Sequence, residues 1–272
     1  MGFDAVRPRG RWRSLVFALA GLTSAVPVYA RDAPPSALEA VNLAGRERML
    51  SQRATKAWLM RGQGILVEQA EAILSASIAQ FEAQLDSLRA APGDATTRAA
   101  LDELALRWAE MKALLETPPS AAAASALYDA NEAVQSAAHQ LTLTSEDLAP
   151  APYAHLLNLA GRQRMLSQRM AKFFLYRSWE VNGDAAGMEL ELSHAHFGAV
   201  LIQLEVSKLL DAQARAEVAA LRAAWRDYQA LLIERNAPAT MRANAPAVVR
   251  ASEEVLEKTE RVVAAILETA TR

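Results

Sequence analysis

Arg48 and Arg164 have the surroundings in which an arginine could do chemistry. Each follows a glycine by three positions (Gly45, Gly161) and precedes a glutamine by four (Gln52, Gln168). Residues 42–53 read NLAGRERMLSQR and residues 158–169 read NLAGRQRMLSQR. Eleven of the twelve positions agree, at an offset of 116, with Glu47 against Gln163 the exception. Taken as a helix of about 100° per residue, Leu157, Gly161, Arg164, Gln168, Ala171 and Leu175 advance in steps of 4, 3, 4, 3, 4 and line one seam. Val41, Gly45, Arg48, Gln52, Thr55 and Leu59 do the same in the first copy. Leu159, Leu166, Met170 and Phe173 fall on the far side as an ordinary core stripe. A helix patterned on two faces packs against a second helix as well as its own core. The glycines would let the two backbones approach.

An arginine at the centre of such a seam is costly to bury unless its five donors find partners. If two copies of the helix meet, their guanidinium groups repel. A small planar anion between them removes the repulsion and accepts charge-assisted hydrogen bonds. Gln52 and Gln168, one turn on, would add neutral donors. Arg48, Arg164, Gly45, Gly161, Gln52 and Gln168 are therefore the candidate ligand-binding residues. On spacing alone a second reading stays open, in which each arginine pairs with a carboxylate of its own bundle or remains solvated.

Other chemistry has less support. A di-metal centre in a four-helix bundle needs two Glu-x-x-His pairs, and Glu191-Leu-Ser-His194 is the one match. His194 and His196 lie on different helix faces, and His139 and His155 have no obvious ligand partners. No nucleophile motif, phosphate loop or zinc motif occurs. The absence of cysteine excludes disulfides and thiolate metal sites. No enzyme activity, cofactor or metal is expected. Trp108 and Trp225 are expected as core anchors, and Arg53, Arg169, Lys56 and Lys172 as a solvated face.

The elements that position these residues follow from periodicity and breakers. In the first copy, helices are predicted over roughly 36–61, 64–90, 94–116 and 120–145. In the second they are predicted over roughly 152–181, 184–211, 213–236 and 245–270, with breaks around Pro238 and Pro246. Phe81 and Phe197 repeat at the same offset of 116, and Trp108 and Trp225 at 117. Short connections imply antiparallel neighbours. The expected fold class is all-α, as two tandem antiparallel four-helix bundles over 36–148 and 149–272. The segment Thr144 to Pro152 would join them. Its length allows side-by-side packing, with parallel motif helices sharing one site, and leaves an end-to-end stack open.

Residues 1–30 read as a signal peptide: Arg7, Arg9, Arg11 and Arg13, then an apolar run, then Val28-Tyr29-Ala30. Its apolar stretch is short for a membrane span, so a cleaved leader is expected over an N-terminal anchor, and the protein is expected in the periplasm. Without it the net charge is about −5, which argues against nucleic acid as a partner.

The string NLAGRQRMLSQR resembles the opening helix of the PilJ-type sensor domain of type IV pilus chemotaxis transducers. It is also similar to the related periplasmic domain of nitrate/nitrite sensor kinases. The resemblance covers both copies. It implies a four-helix sensory fold and a ligand-binding arginine three residues after the glycine, Arg48 before Met49 and Arg164 before Met165, with a small anion such as nitrate or nitrite held between two such helices. Arg46 and Arg162 add a charge that a nitrate site does not obviously need. Family members usually continue into a membrane helix and a signalling region, whereas this sequence ends at Arg272. A separate membrane sensor or transducer is therefore the expected partner. The alternative function is a ligand-free interaction module that docks on a chemotaxis transducer or pilus component.

Overall fold

A computed structural model describes residues 34–233 and 237–272, and the leader expected at 1–30 lies outside them. The order of helices is α1 (Ala37–Gly62), α2 (Val67–Ala90), α3 (Ala95–Leu115), α4 (Ala121–Asp147), α5 (Tyr153–Ser178), α6 (Gly183–Val206), α7 (Ala212–Ile233) and α8 (Pro238–Ala270). There is no strand among the described residues, so the all-α class holds.

Local chemistry starts and stops these helices. Ser36 and Glu39 form a capping box at α1, each satisfying the other's backbone N–H. Asp94, Ser120 and Asp211 accept from the N3 amides of α3, α4 and α7. The turn after α1 is repeated after α5. Ile65 N–H donates to the Met60 carbonyl, and Val181 N–H to that of Tyr176. Gly64 and Glu180 take the same left-handed conformation there, with φ of 69° and 60°.

Within each set of four, consecutive helices run antiparallel around a core. Phe81 stacks on Trp108 at 3.7 Å, and Phe197 on Trp225 at 4.1 Å. The two tryptophans are therefore the core anchors their repetition suggested. The sets meet side by side through α1 and α5. Contacts between these helices climb in step along both, Arg164 to Asn42, Lys56 to Gln168 and Gln63 to Leu175, so the two are parallel. Both faces of α5 are consequently buried, including Leu157, Gly161, Arg164 and Gln168 on the seam.

Three boundaries differ from the sequence expectation. Helix α8 starts at Pro238 and runs through Pro246, which was expected to break it. Met241, Ala245, Val248 and Val249 are buried on this stretch, and that burial outweighs the loss of one helical hydrogen bond at proline. Helix α4 continues to Asp147, so the link between the sets is shorter than Thr144 to Pro152. Helix α6 ends at Val206, five residues early, because Asp211 caps α7 and the intervening residues form the turn.

Candidate functional site

The α1–α5 seam brings Arg48 and Arg164 together. Both side chains are 0% exposed. A Cβ on Gly45 would sit 3.2 Å from Arg48 Nη2 and 3.8 Å from Arg164 Nη2. On Gly161 it would sit 3.2 Å from Arg164 Nη2 and 3.7 Å from Arg48 Nη2. The two guanidinium ends therefore face each other across the glycine pair, and the absence of two side chains makes the space. An arginine leans toward its helix N-terminus, so each reaches the other helix's motif asparagine. Arg48 Nη2 donates to Asn158 Oδ1 at 2.8 Å, and Arg164 Nη2 to Asn42 Oδ1 at 2.8 Å. Asn42 and Asn158 open the repeated string, but nothing in their spacing marked them as partners.

Beyond this reciprocal pair the surroundings diverge. Arg164 Nη1 donates to Glu260 Oε2 of α8 at 3.1 Å, and the same oxygen accepts from Arg46 Nη2 at 2.6 Å. Arg48 touches no carboxylate among the described residues. Its Nη1 lies 3.4 Å from His139 Nδ1 on α4. Glu146 reaches it only through Asn158, whose Nδ2 donates to the Glu146 carboxylate. The Nε–H of both arginines is buried without an acceptor. Burial pulls the Arg48 pKa down to about 9, with Arg162 and Arg164 pushing the same way and Glu146 opposing. The Arg164 pKa is also lowered, first by burial, with Glu260 opposing and Arg46 adding to the fall. An arginine keeps its charge in proteins, so Arg48 and Arg164 are two like charges, buried and close. Of the two fates open for these arginines, Arg164 pairs with a carboxylate of its own set and Arg48 does not.

The glutamines lie elsewhere on the seam. Gln168 Oε1 accepts from Lys56 Nζ at 2.6 Å, and its Nε2 donates to the Ser252 carbonyl at 2.9 Å. Gln52 donates weakly to Ser51 Oγ at 3.5 Å and its Oε1 has no partner. Neither amide contacts a guanidinium.

The basic residues expected to be solvated are a second buried system. Lys56 and Lys172 are 0% exposed. Lys56 of α1 binds Glu253 of α8 at 2.6 Å, and Arg53 binds the same carboxylate. Lys172 of α5 binds Glu132 of α4 at 2.7 Å, and Arg169 grips that carboxylate through two nitrogens. Each motif helix thus takes its counter-charge from the other set. Glu132 and Glu253 are held down to about 2. Burial works against this, but the neighbouring Lys172 and Arg169, or Lys56 and Arg53, outweigh it. The signal that could have found these pairs is the repetition of Arg-x-x-Lys at 53–56 and 169–172 beside Glu132 and Glu253, whose offset of 121 is close to the repeat.

His194, of the Glu191–His194 spacing, packs on Trp225 at 5.0 Å between centroids. Among the described residues no three His, Asp or Glu side chains converge. No helix among them is long and apolar enough to cross a membrane.

Residues 36–135, from the cap of α1 into α4, match the family model of the Type IV pili methyl-accepting chemotaxis transducer N-term domain. This segment, which carries Arg48, is similar to that sensory domain. No curated protein and no solved structure matches the chain.

Proposed function

We propose that this chain is an exported sensor that recognises a small anion between α1 and α5 and reports to a membrane signalling partner. The observation that carries the reading is the pair of charged guanidinium groups, fully buried and facing each other over Gly45 and Gly161, with both Nε–H groups lacking an acceptor. Burying two like charges this way is unfavourable, and an anion accepting from both would offset that cost. Nitrate and nitrite are small, planar and singly charged, the kind of anion that guanidinium groups recognise through paired hydrogen bonds. Because the arginines are enclosed, an anion enters only as α1 and α5 adjust. Occupancy thereby becomes a change in the relation of two helices that a partner can read. The second set, 149–272, supplies Arg164 and acts as the partner domain that a dimer would otherwise provide.

Calorimetry with nitrate and nitrite on the wild type, Arg48→Ala, Arg164→Ala and the double variant tests this. One binding event per chain is expected, lost in either single variant, with strongly non-additive losses. Additive, independent losses would overturn the shared site.

A second reading, a module that docks on a transducer or pilus component without a ligand, draws on the outer side of α6. There Met188, Leu192, Ile202 and Val206 stand exposed. Absence of binding by the wild type to any small anion would favour it.

A further inference from the structure

The α4 and α8 helices correspond at an offset of 121 residues. The buried positions Ala124, Leu127, Asn131, Val134, Ala138, Leu141 and Thr142 match Ala245, Val248, Ser252, Val255, Thr259, Val262 and Val263. The functional contacts keep the same register. Glu132 and Glu253 each hold a buried lysine, and Asn131 and Ser252 bond the same two lysines. In this register the counterpart of Glu260 is His139. Arg46 and Arg164 converge on Glu260. Their counterparts, Arg162 and Arg48, are the two arginines whose charges act on His139. The arginine pair therefore has two pseudo-equivalent half-sites, and they are filled differently.

We infer that Glu260 is a built-in anion occupying one half-site at Arg164 Nη1, and that the other half, formed by Arg48, Arg162 and His139 with Arg164 Nη2 facing it across the glycine pair, receives the single external anion. This rests on the anion-binding reading above and names its seat. In the first half a carboxylate oxygen already accepts from both arginines. In the second no carboxylate among the described residues touches Arg48 or Arg162, and a histidine stands where that carboxylate would be. The nearest acid, Glu146, spends its oxygens on Asn158 and His155. Two arginines against this one carboxylate leave a single positive charge for a univalent oxyanion to neutralise.

Burial, then Arg48 and Arg162, hold the His139 pKa below its ordinary value, with Glu146 opposing. The empty site accordingly carries a neutral imidazole. Its Nδ1 is turned to the Arg48 donor, so the proton sits on Nε2. An anion seated here reverses the balance. It covers the two arginine charges and favours an imidazolium that donates to it, so binding takes up a proton at His139. By linkage, affinity rises as pH falls and levels off once the histidine of the empty site is itself protonated. Each unit by which binding raises the His139 pKa contributes up to about tenfold in affinity.

Calorimetry of the full chain with sodium nitrate, at about pH 7.5 and about pH 5.5 and in two buffers of different ionisation enthalpy, tests the inference. Sodium sulfate serves as a divalent competitor. Wild type should bind one nitrate, more tightly at the lower pH, with net proton uptake, and sulfate should compete poorly. His139→Glu, which copies the Glu260 arrangement, should weaken nitrate at least about tenfold while the thermal midpoint is kept or raised. His139→Gln guards against a folding artefact. It should keep the melting profile and lose the proton uptake. Glu260→Gln should open the second half-site and raise the stoichiometry toward two. Nitrate binding that His139→Glu leaves within about twofold, or that takes up no proton, would overturn this inference alone. A wild type that binds neither anion would overturn the anion-binding reading and this one with it.

Discussion

His139 and Glu260 stand at corresponding positions on α4 and α8, one an imidazole beside Arg48 and the other a carboxylate bonded to Arg164. The repeated motif strings differ at one position, so the difference between the halves of the site comes from the fourth helices. These differ there while sharing a packing register.

The glycines can be separated from the arginines experimentally. Gly45→Ala and Gly161→Ala each place a methyl 3.2 Å from a guanidinium nitrogen. Alanine favours a helix interior by about 1 kcal/mol over glycine, so the thermal midpoint should change little. Nitrate affinity should fall at least about tenfold, because orientation of the charged group is what the methyl disturbs. Parallel melts and titrations check this, and unchanged affinity would remove the glycines from the site.

Glu47 is a buried acid with no partner for either oxygen, and burial raises its pKa well above the ordinary value, with Arg46 opposing. Its counterpart Gln163 donates to the Phe197 carbonyl at 3.0 Å. A raised folded pKa stabilises below the unfolded value of about 4.5, and that contribution is lost as pH rises. Glu47→Gln should therefore be more stable than wild type at neutral pH by about 1–3 kcal/mol. The gap should close as the pH is lowered in denaturant titrations.

Glu132 behaves with the opposite sign. Its depressed folded pKa gives stability that is present above 4.5 and lost as pH falls toward about 2. Glu132→Gln leaves Lys172 buried without its carboxylate. The expected cost at neutral pH is about 2–4 kcal/mol, below that of a fully buried pair because part of Glu132 meets solvent. The deficit should shrink across that acid range, and a deficit independent of pH would exclude the ion pair as its cause.

On the core stripes opposite the seam, Leu50→Ala and Leu166→Ala should each cost about 2–5 kcal/mol. On the seam, Gln168→Ala should cost about 1–3 kcal/mol by removing one acceptor of buried Lys56 and the donor to the Ser252 carbonyl. Gln52→Ala, which loses one 3.5 Å contact, should cost less. Urea melts rank the four variants.

What the sequence could tell follows from where each partner lies. The Gly45–Arg48 and Gly161–Arg164 spacing is internal to one helix, so a second packing face on each motif helix was legible from its 4, 3, 4, 3, 4 steps, whereas side-by-side packing was one of two arrangements the sequence left open. The fates of Lys56 and Lys172 were not. Their carboxylates stand 197 and 40 residues away, and a short Arg-x-x-Lys string looks the same on a solvated face. Glu260 and His139 were hidden for the same reason, since neither belongs to a local motif. At Pro246 the local rule was sound, but burial of neighbouring side chains on α8 overrode it.

The crossed placement of counter-charges has a consequence for how the molecule comes apart. Helix α1 depends on Glu253 of the second set, and α5 on Glu132 of the first. Cutting the chain between α4 and α5 would strand an ammonium group in each fragment. Neither half is expected to fold on its own, and amides of both should exchange with solvent through one shared global opening. Two stretches that share a motif string are tied together by the charges they lend each other.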